Sequence, residues 1–107
     1  MSIADHSRCS ADALKLVADY WVLRIVEVLS MADGGLRFSE LQRSLGGASP
    51  ATLSNRLRRL EQQKLIERTG RPGKLSVSYA LSERGHRIRP VIDAINDFAA
   101  RQVSQAS

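Results

Sequence analysis

The chain has 107 residues, a size that fits one domain, because two halves would each bury too small a core. Hydrophobic residues make up 43% and charged residues 25% of it, as in ordinary soluble globular proteins. The most apolar stretch, WVLRIVEVL, is too short to span a bilayer and is interrupted by Arg24 and Glu27. The start, MSIADHSRCS, lacks the basic residues and apolar run of a secretory signal. We therefore expect one domain, residues 1–107, in the cytoplasm and without a membrane partner.

Cysteine and histidine usage argues against several classes of site. The single cysteine, Cys9, excludes an internal disulfide framework and fits a reducing compartment. Together with His6 and His86 it offers few metal ligands and no paired spacing, so we expect no metal site. No Ser-His-Asp set, carboxylate pair or phosphate-binding loop is visible, so we expect neither an enzyme nor a cofactor.

The net charge of +5 is unevenly distributed along the chain. Residues 37–89 hold twelve Lys and Arg against four acids, whereas the remainder holds four against seven. A basic centre favours a polyanionic partner, nucleic acid first. The charge alone fits a merely solubilising surface equally well.

The N-terminal third predicts two helices. Ser10 can cap a helix over residues 11–18, with Leu14 and Val17 facing inward. A second helix is predicted over residues 20–31. Its broad apolar face implies burial on more than one side and consists of Trp21, Val22, Ile25, Val26, Val28 and Leu29.

A turn at residues 33–35 and a short strand at 36–38 separate this pair from two further helices. Ser39 followed by Gln42 predicts a capping box at the start of the third helix, and Gly46-Gly47 predicts its end. Ser49 can cap the fourth helix, residues 49–63, with Pro50 in its first turn.

The period then changes to that of strands. Residues 65–69 and 75–81 predict two strands, and the Gly- and Pro-containing tip 70–74 joins them as a hairpin. Ser82 can cap a last helix, in which Pro90 predicts a kink or a restart. Two helices joined by a tight turn and followed by a hairpin describe a winged helix-turn-helix, a mostly α fold with a small β-hairpin.

The fourth helix has the chemistry needed to read DNA. Leu53, Leu57 and Leu60 recur on one face and would fix it to the body. The face predicted to stand free carries Thr52, Asn55, Arg56 and Arg59. Arginine can bond guanine O6 and N7 together, and asparagine can bond adenine N6 and N7. The alternative is an ordinary amphipathic surface helix.

Other polar residues would position the duplex through its phosphates. Arg58 and Arg59 lie further along the helix, and N–H groups at the helix starts near Ser39 and Ser49 can bind phosphate oxygens. Arg37 belongs to the same predicted set. Arg71 and Lys74 at the hairpin tip would reach the backbone or the minor groove, unless they are merely solvated turn charges.

Several quoted motifs resemble the HxlR family of bacterial winged-helix transcriptional regulators over residues 9–99. The resemblance is carried by Cys9 before the first helix and by DYWVLRIVEVL, RFSELQRSL, SPATLSNRLRRLEQQKLIER, SYALSERG and RPVIDAI. It implies dimers that bind two-fold DNA sites and repress or activate neighbouring genes, with the recognition helix at 49–63 and the wing at 70–74. Lys64 stands where the family usually has glycine, so we expect that helix end to close differently.

A dimer also has a physical motive, because one such module covers only roughly 600–1,000 Å² of DNA. Two copies about 34 Å apart would fix the half-site spacing. We expect the terminal helices to form the dimer, unless the same residues merely close the monomer core. The candidates are Leu14, Val17, Tyr20, Trp21, Ile92, Ile95 and Phe98.

The sequence thus predicts a homodimeric, sequence-specific DNA-binding regulator, with repression as the favoured mode. The alternative is a winged-helix interaction module whose basic face binds an acidic protein. In some HxlR relatives the equivalent cysteine senses oxidants or electrophiles, and Arg8 beside Cys9 favours the thiolate. A small-molecule or oxidant signal is therefore a further hypothesis, and a small buried residue at the dimer seam is its alternative.

Overall fold

The computed structural model describes residues 14–32, 34–70 and 77–106, with side chains through Arg101. Cys9, Ser10, Arg71 and Lys74 lie outside these residues. The elements, in chain order, are α1 (residues 14–17), α2 (Tyr20–Ser30), β1 (Leu36–Arg37), α3 (Phe38–Leu45), α4 (Pro50–Gln62), β2 (Ile66–Thr69), β3 (Ser78–Leu81), α5 (Glu83–His86) and α6 (Arg89–Ala106). The predicted winged helix-turn-helix order is confirmed.

The turn between α3 and α4 is built as the residues predict. Gly46 ends α3 in the left-handed conformation, with φ 67°, and its N–H donates to the Gln42 carbonyl. Ser49 caps α4, its Oγ accepting the Thr52 N–H at 3.1 Å, and Pro50 occupies the first turn. Gln42 Nε2 also donates to the Ala48 carbonyl at 3.3 Å, which ties α3 to the turn.

The predicted capping box of α3 is wrong. The helix begins at Phe38 rather than Ser39, and Arg37 is its N-cap residue. The Glu40 carboxylate accepts the Arg37 N–H at 2.9 Å. An anionic Glu40 in the first turn also interacts favourably with the helix dipole, an advantage that the neutral Gln42 lacks.

Three antiparallel strands form one sheet in the order β1-β3-β2. Leu36 pairs with Tyr79 at one edge, and Ile66 pairs with Leu81 at the other. The hairpin was predictable from its period, but the pairing of β1 with β3 was not, since a two-residue strand has no period of its own.

Lys64 was expected to change how the end of α4 closes, because the family usually has glycine there. The structure does not show such a change. This residue adopts φ 61°, the left-handed conformation that glycine takes most readily. The Leu65 N–H then donates to the Leu60 carbonyl at 2.9 Å and closes the helix end. Lys64 therefore preserves the glycine geometry instead of replacing it.

The core lies between α2, α3, α4 and the sheet, with two residues from the C-terminal region. Arg87 and Ile88 form the turn between α5 and α6, and Pro90 lies in the first turn of α6, so the predicted restart is confirmed. The buried hydrophobic residues are Val22, Ile25, Val26, Leu29, Leu41, Leu45, Ala48, Leu53, Leu57, Leu60, Leu65, Ile66, Leu81, Ile88 and Ile92. This core holds α4 by one side only.

Candidate nucleic-acid interface

The outer side of α4 is the candidate DNA-reading surface. Leu53, Leu57 and Leu60 are each at most 2% exposed, as predicted for the anchoring face. The exposed residues of the helix after Pro50 are Ala51, Ser54, Asn55, Arg58 and Gln62. Thr52, Arg56, Arg59 and Glu61 are only partly exposed.

This distribution corrects the predicted free face. A helix turns by about 100° per residue, so Asn55 lies about 160° from Leu53, whereas Arg56 lies only about 60° from it. Arg56 therefore borders the apolar face. Arg58, which the sequence assigned to phosphates alone, is in the exposed set together with Asn55.

Arg56 is held against the body by Asp19, the N-cap residue of α2. Its Nε donates to both carboxylate oxygens, at 3.1 and 3.3 Å, and Arg59 Nη1 lies 3.7 Å from Oδ2. The Arg56 side chain is 29% exposed and that of Asp19 is 15% exposed. The prediction that Arg56 stands free of the body is thus wrong, because a carboxylate 37 residues away in sequence lies within reach.

Asn55 and Thr52 have partners of different kinds. Arg56 Nη1 donates to Asn55 Oδ1 at 3.1 Å, so the two predicted base-reading side chains touch one another. Thr52 Oγ1 accepts from Ser49 Oγ at 2.9 Å, which links it to the helix cap. Asn55 remains exposed, and the contact with Arg56 uses only its amide oxygen.

The charge state of Asp19 follows from these contacts. Partial burial raises the pKa of Asp19. The hydrogen bonds from Arg56 and Val22, together with the charges of Arg56 and Arg59, lower the pKa by more than burial raises it. The net result is a pKa below the usual aspartate range. Asp19 is therefore a carboxylate paired with cations of the α4 surface at neutral pH.

A polar cleft of about 380 Å³ lies between α4 and the sheet. It is lined by Phe38, Ser54, Leu57, Arg58, Glu61, Arg68 and Tyr79. Arg68, which sequence reasoning missed, extends from β2 toward Glu61, with 4.0 Å between Nε and Oε2. The position of Arg68 could have been predicted from the alternation of side chains along a strand, which places Arg68 on the same side of β2 as the buried Ile66.

The start of α3 offers less to an anion than predicted. Arg37 and Ser39 are exposed, as a DNA contact requires. However, the Arg37 N–H is already bonded to the Glu40 carboxylate, which would repel a phosphate at that point. Ser49 is exposed at the start of α4, where its Oγ is committed to the cap.

Comparison with known proteins decides the family. The profile of the HxlR-like helix-turn-helix family matches residues 16–107. The chain belongs to this family. It is 32% identical to the HTH-type transcriptional regulator YodB of Bacillus subtilis over 81% of this chain and 77% of YodB. It is 32% identical to an HTH-type transcriptional regulator of Methanothermobacter thermautotrophicus over 88% of this chain and 72% of that protein.

A solved structure supports the same assignment. The quinone-bound YodB from B. subtilis superimposes with a TM-score of 0.74 at 28% identity, covering 88% of this chain and 98% of that one. This HxlR-like chain is a helix-turn-helix transcriptional regulator and not an enzyme, because its family and relatives are regulators. None of the helices described is both long and apolar enough to cross a membrane.

The predicted dimer residues of this HxlR-like chain fall into three groups. Four are exposed: Leu14 65%, Tyr20 63%, Ile95 47% and Phe98 65%. Val17 and Trp21 are partly buried, and Trp21 packs against the core. Ile92 is only 5% exposed, so it closes the monomer core, which was the alternative considered for this set.

Two of the exposed apolar residues, Tyr20 and Ile95, lie at an open groove of about 190 Å³ between α2 and α6. Tyr20, Leu23, Arg24, Glu27, Ile92, Ile95 and Asn96 line it. Within α6, every described side chain from Asp93 through Arg101 is exposed. Residues 93–101 of this helix therefore extend from the body without burying their apolar side chains.

Proposed function

We propose that this chain is a homodimeric, sequence-specific repressor that binds a two-fold operator in double-stranded DNA. The recognition helix, predicted over residues 49–63, enters the major groove, and the wing at 70–74 lies on the backbone or in the minor groove. One observation carries the proposal: three buried leucines hold α4 by one side while Asn55 and Arg58 are exposed on the other. A helix so presented can enter a groove about 12 Å wide.

The proposed roles follow from position on α4. Asn55, exposed near the helix start, reads base edges, and Arg56 beside it donates from its terminal nitrogens. Thr52 lies one turn earlier at the same edge. Contacts with the DNA backbone are assigned to Arg37, Ser39, Ser49, Arg58, Arg59, Arg71 and Lys74. The last two lie outside the described residues.

The dimer is assigned to the surface formed by α1, α2 and α6. Its occupant is a second copy of this chain, since α6 is 18 residues long but, among its side chains described through Arg101, buries apolar ones only near its start. A helix of that length spans about 27 Å, enough to cross the corresponding helix of another copy. Leu14, Tyr20, Ile95 and Phe98 would supply the apolar contact.

Mobility-shift titrations on the promoter fragment beside the chain's own gene, at two salt concentrations, test the DNA assignment. We expect Asn55→Ala and Arg56→Ala each to weaken specific binding by about tenfold or more, since one bidentate base contact is worth about 1–3 kcal/mol. Arg84→Ala is the matched control, because Arg84 is an exposed arginine on α5, outside the surfaces assigned to DNA and to the dimer. Full affinity in both α4 variants would reject the site.

The hypothesis of an acidic protein partner makes a different forecast in the same titration. A basic face without base recognition would bind the promoter fragment and a shuffled duplex equally well. Its binding to the two duplexes would weaken in parallel as the salt concentration rises. Preference for the promoter fragment at both salt concentrations supports the repressor.

A small-molecule or oxidant signal is proposed by extension from YodB, which has been crystallised with a quinone. Cys9, the only cysteine of the chain, is the proposed sensor. Diamide is expected to weaken DNA binding by the wild-type protein but not by Cys9→Ser. The same loss of binding in the variant would remove Cys9 from this role.

A further inference from the structure

Asp19 joins the start of α2 to the side of α4. Its Oδ1 accepts the Val22 N–H at 3.0 Å and so caps α2. The same carboxylate accepts Arg56 Nε through both oxygens, at 3.1 and 3.3 Å. It is 15% exposed, so the pair is partly shielded from solvent.

These contacts restrict which edge of Arg56 can meet a base. With Nε bonded to Asp19, the remaining pair of donors is Nη1 and Nη2, and Nη1 also donates to Asn55 Oδ1. Each terminal nitrogen carries two hydrogens, so this edge can still donate to guanine O6 and N7. Asp19 thus orients the guanidinium, and the guanidinium orients the Asn55 amide.

We propose that Asp19 is a positioning residue for DNA recognition, which holds Arg56 and, through it, Asn55 in place before the duplex arrives. This inference rests on the proposed function and adds a specificity residue located outside the recognition helix. The physical gain is preorganisation: a long, flexible arginine that is already ordered loses less conformational freedom on binding.

Simple electrostatics predicts the opposite result, which makes the inference testable. Removing a negative charge beside a DNA-binding surface raises affinity for any duplex. Loss of positioning lowers affinity only for the correct sequence. The ratio of specific to non-specific affinity therefore separates the two effects.

The test uses the duplex that the wild-type protein enriches from a random-sequence pool, and a shuffled duplex of the same composition at the same salt. Asp19→Ser keeps a side chain that can cap α2. Serine cannot hold Arg56, because its side chain is shorter than that of aspartate and carries no charge. We expect it to lower the affinity ratio by about tenfold while binding to the shuffled duplex is unchanged or tighter. Asp19→Asn, a second cap-preserving variant, should lower the ratio too, and thermal unfolding checks that both are folded.

A double-mutant cycle separates positioning from a general structural role. If Asp19 acts through Arg56, then Arg56→Ala and the double variant with Asp19→Ser have equal affinity ratios. The inference is overturned if Asp19→Ser and Asp19→Asn leave the ratio unchanged or raise it, or if Asp19→Ser still lowers it without Arg56. A wild-type protein that enriches no duplex would reject the proposed function itself, and the inference with it.

Discussion

Ser82 Oγ donates a hydrogen bond of 2.7 Å to the carbonyl oxygen of Lys64. This contact, 18 residues apart in sequence, ties the left-handed end of α4 to the cap of α5. It explains how a lysine is kept at φ 61°, a conformation that costs an ordinary L-residue about 1–2 kcal/mol.

Replacing Lys64 by glycine should therefore stabilise the fold. We expect Lys64→Gly to raise the free energy of unfolding by about 1 kcal/mol, because glycine adopts this conformation without a Cβ penalty. Urea unfolding followed by the fluorescence of Trp21, the only tryptophan, measures it. Lys64→Ala is the control, since it removes the charge but keeps the Cβ. A gain as large in the alanine variant would assign the effect to charge.

Gly85 should tolerate no side chain. A Cβ at this position would lie 2.0 Å from the Leu65 carbonyl oxygen, which also accepts the Ser82 N–H at 3.0 Å. We expect Gly85→Ala to lower the free energy of unfolding by more than about 2 kcal/mol, since backbone on both sides must move. Gly47→Ala is the matched control: its Cβ would lie 3.8 Å from the Trp21 ring, and we expect a change within about 1 kcal/mol. Equal losses in both variants would refute the steric explanation.

The ion pair at Asp19 should make folding stability depend on acid pH. The pKa of Asp19 is lowered in the folded protein, so the ionised form stabilises the fold at and above the pKa of the unfolded chain, about 3.9. That stabilisation is lost as the pH falls through the lower, folded-state pKa. Urea unfolding of wild type and Asp19→Asn should thus differ most above about pH 4 and converge below it.

Asp97→Asn is the control for this experiment, because Asp97 forms an exposed pair with Arg101 on α6 and such pairs contribute little. A difference between wild type and Asp19→Asn that persists unchanged into strong acid would show that the carboxylate charge is not the cause.

Arg58 should contribute to the salt dependence of DNA binding. It is exposed on α4 and lines the cleft that faces β2. If it neutralises one phosphate, Arg58→Ala lowers the slope of log affinity against log salt by about 0.9. Titrations on one duplex over a range of salt measure this slope. An unchanged slope alongside lost sequence preference would instead assign Arg58 to a base.

Phe98 should be needed for the dimer. It is 65% exposed on the part of α6 that extends from the body, and we expect Phe98→Glu to give monomers in sedimentation velocity runs. Met31→Glu is the matched control, because Met31 is as exposed, at 68%, but lies away from the proposed dimer surface. It follows the C-terminal end of α2, where Arg89 at the start of α6 donates to Ser30. Dimers that persist in Phe98→Glu would exclude this surface.

The elements of the fold were largely predictable because their determinants are local. These determinants act within about four residues along the chain, so the sequence is enough to predict them. They include the leucines at helical spacing, the Ser49 cap with Pro50, and Gly46 after α3. The misplaced start of α3 shows the limit of this approach, because Glu40 and Gln42 both occupy plausible capping positions and only the backbone decides between them.

The anchored face of α4 was determined by the sequence alone, whereas the state of its other side was decided by tertiary structure. Leucine periodicity predicts which side is buried, but not that Asp19 reaches Arg56 across 37 residues or that Arg68 extends toward Glu61. It could not show that Ile92 closes the core while Ile95 remains exposed. Periodicity is a property of one helix, whereas such pairings depend on how separate elements pack, which no local pattern encodes.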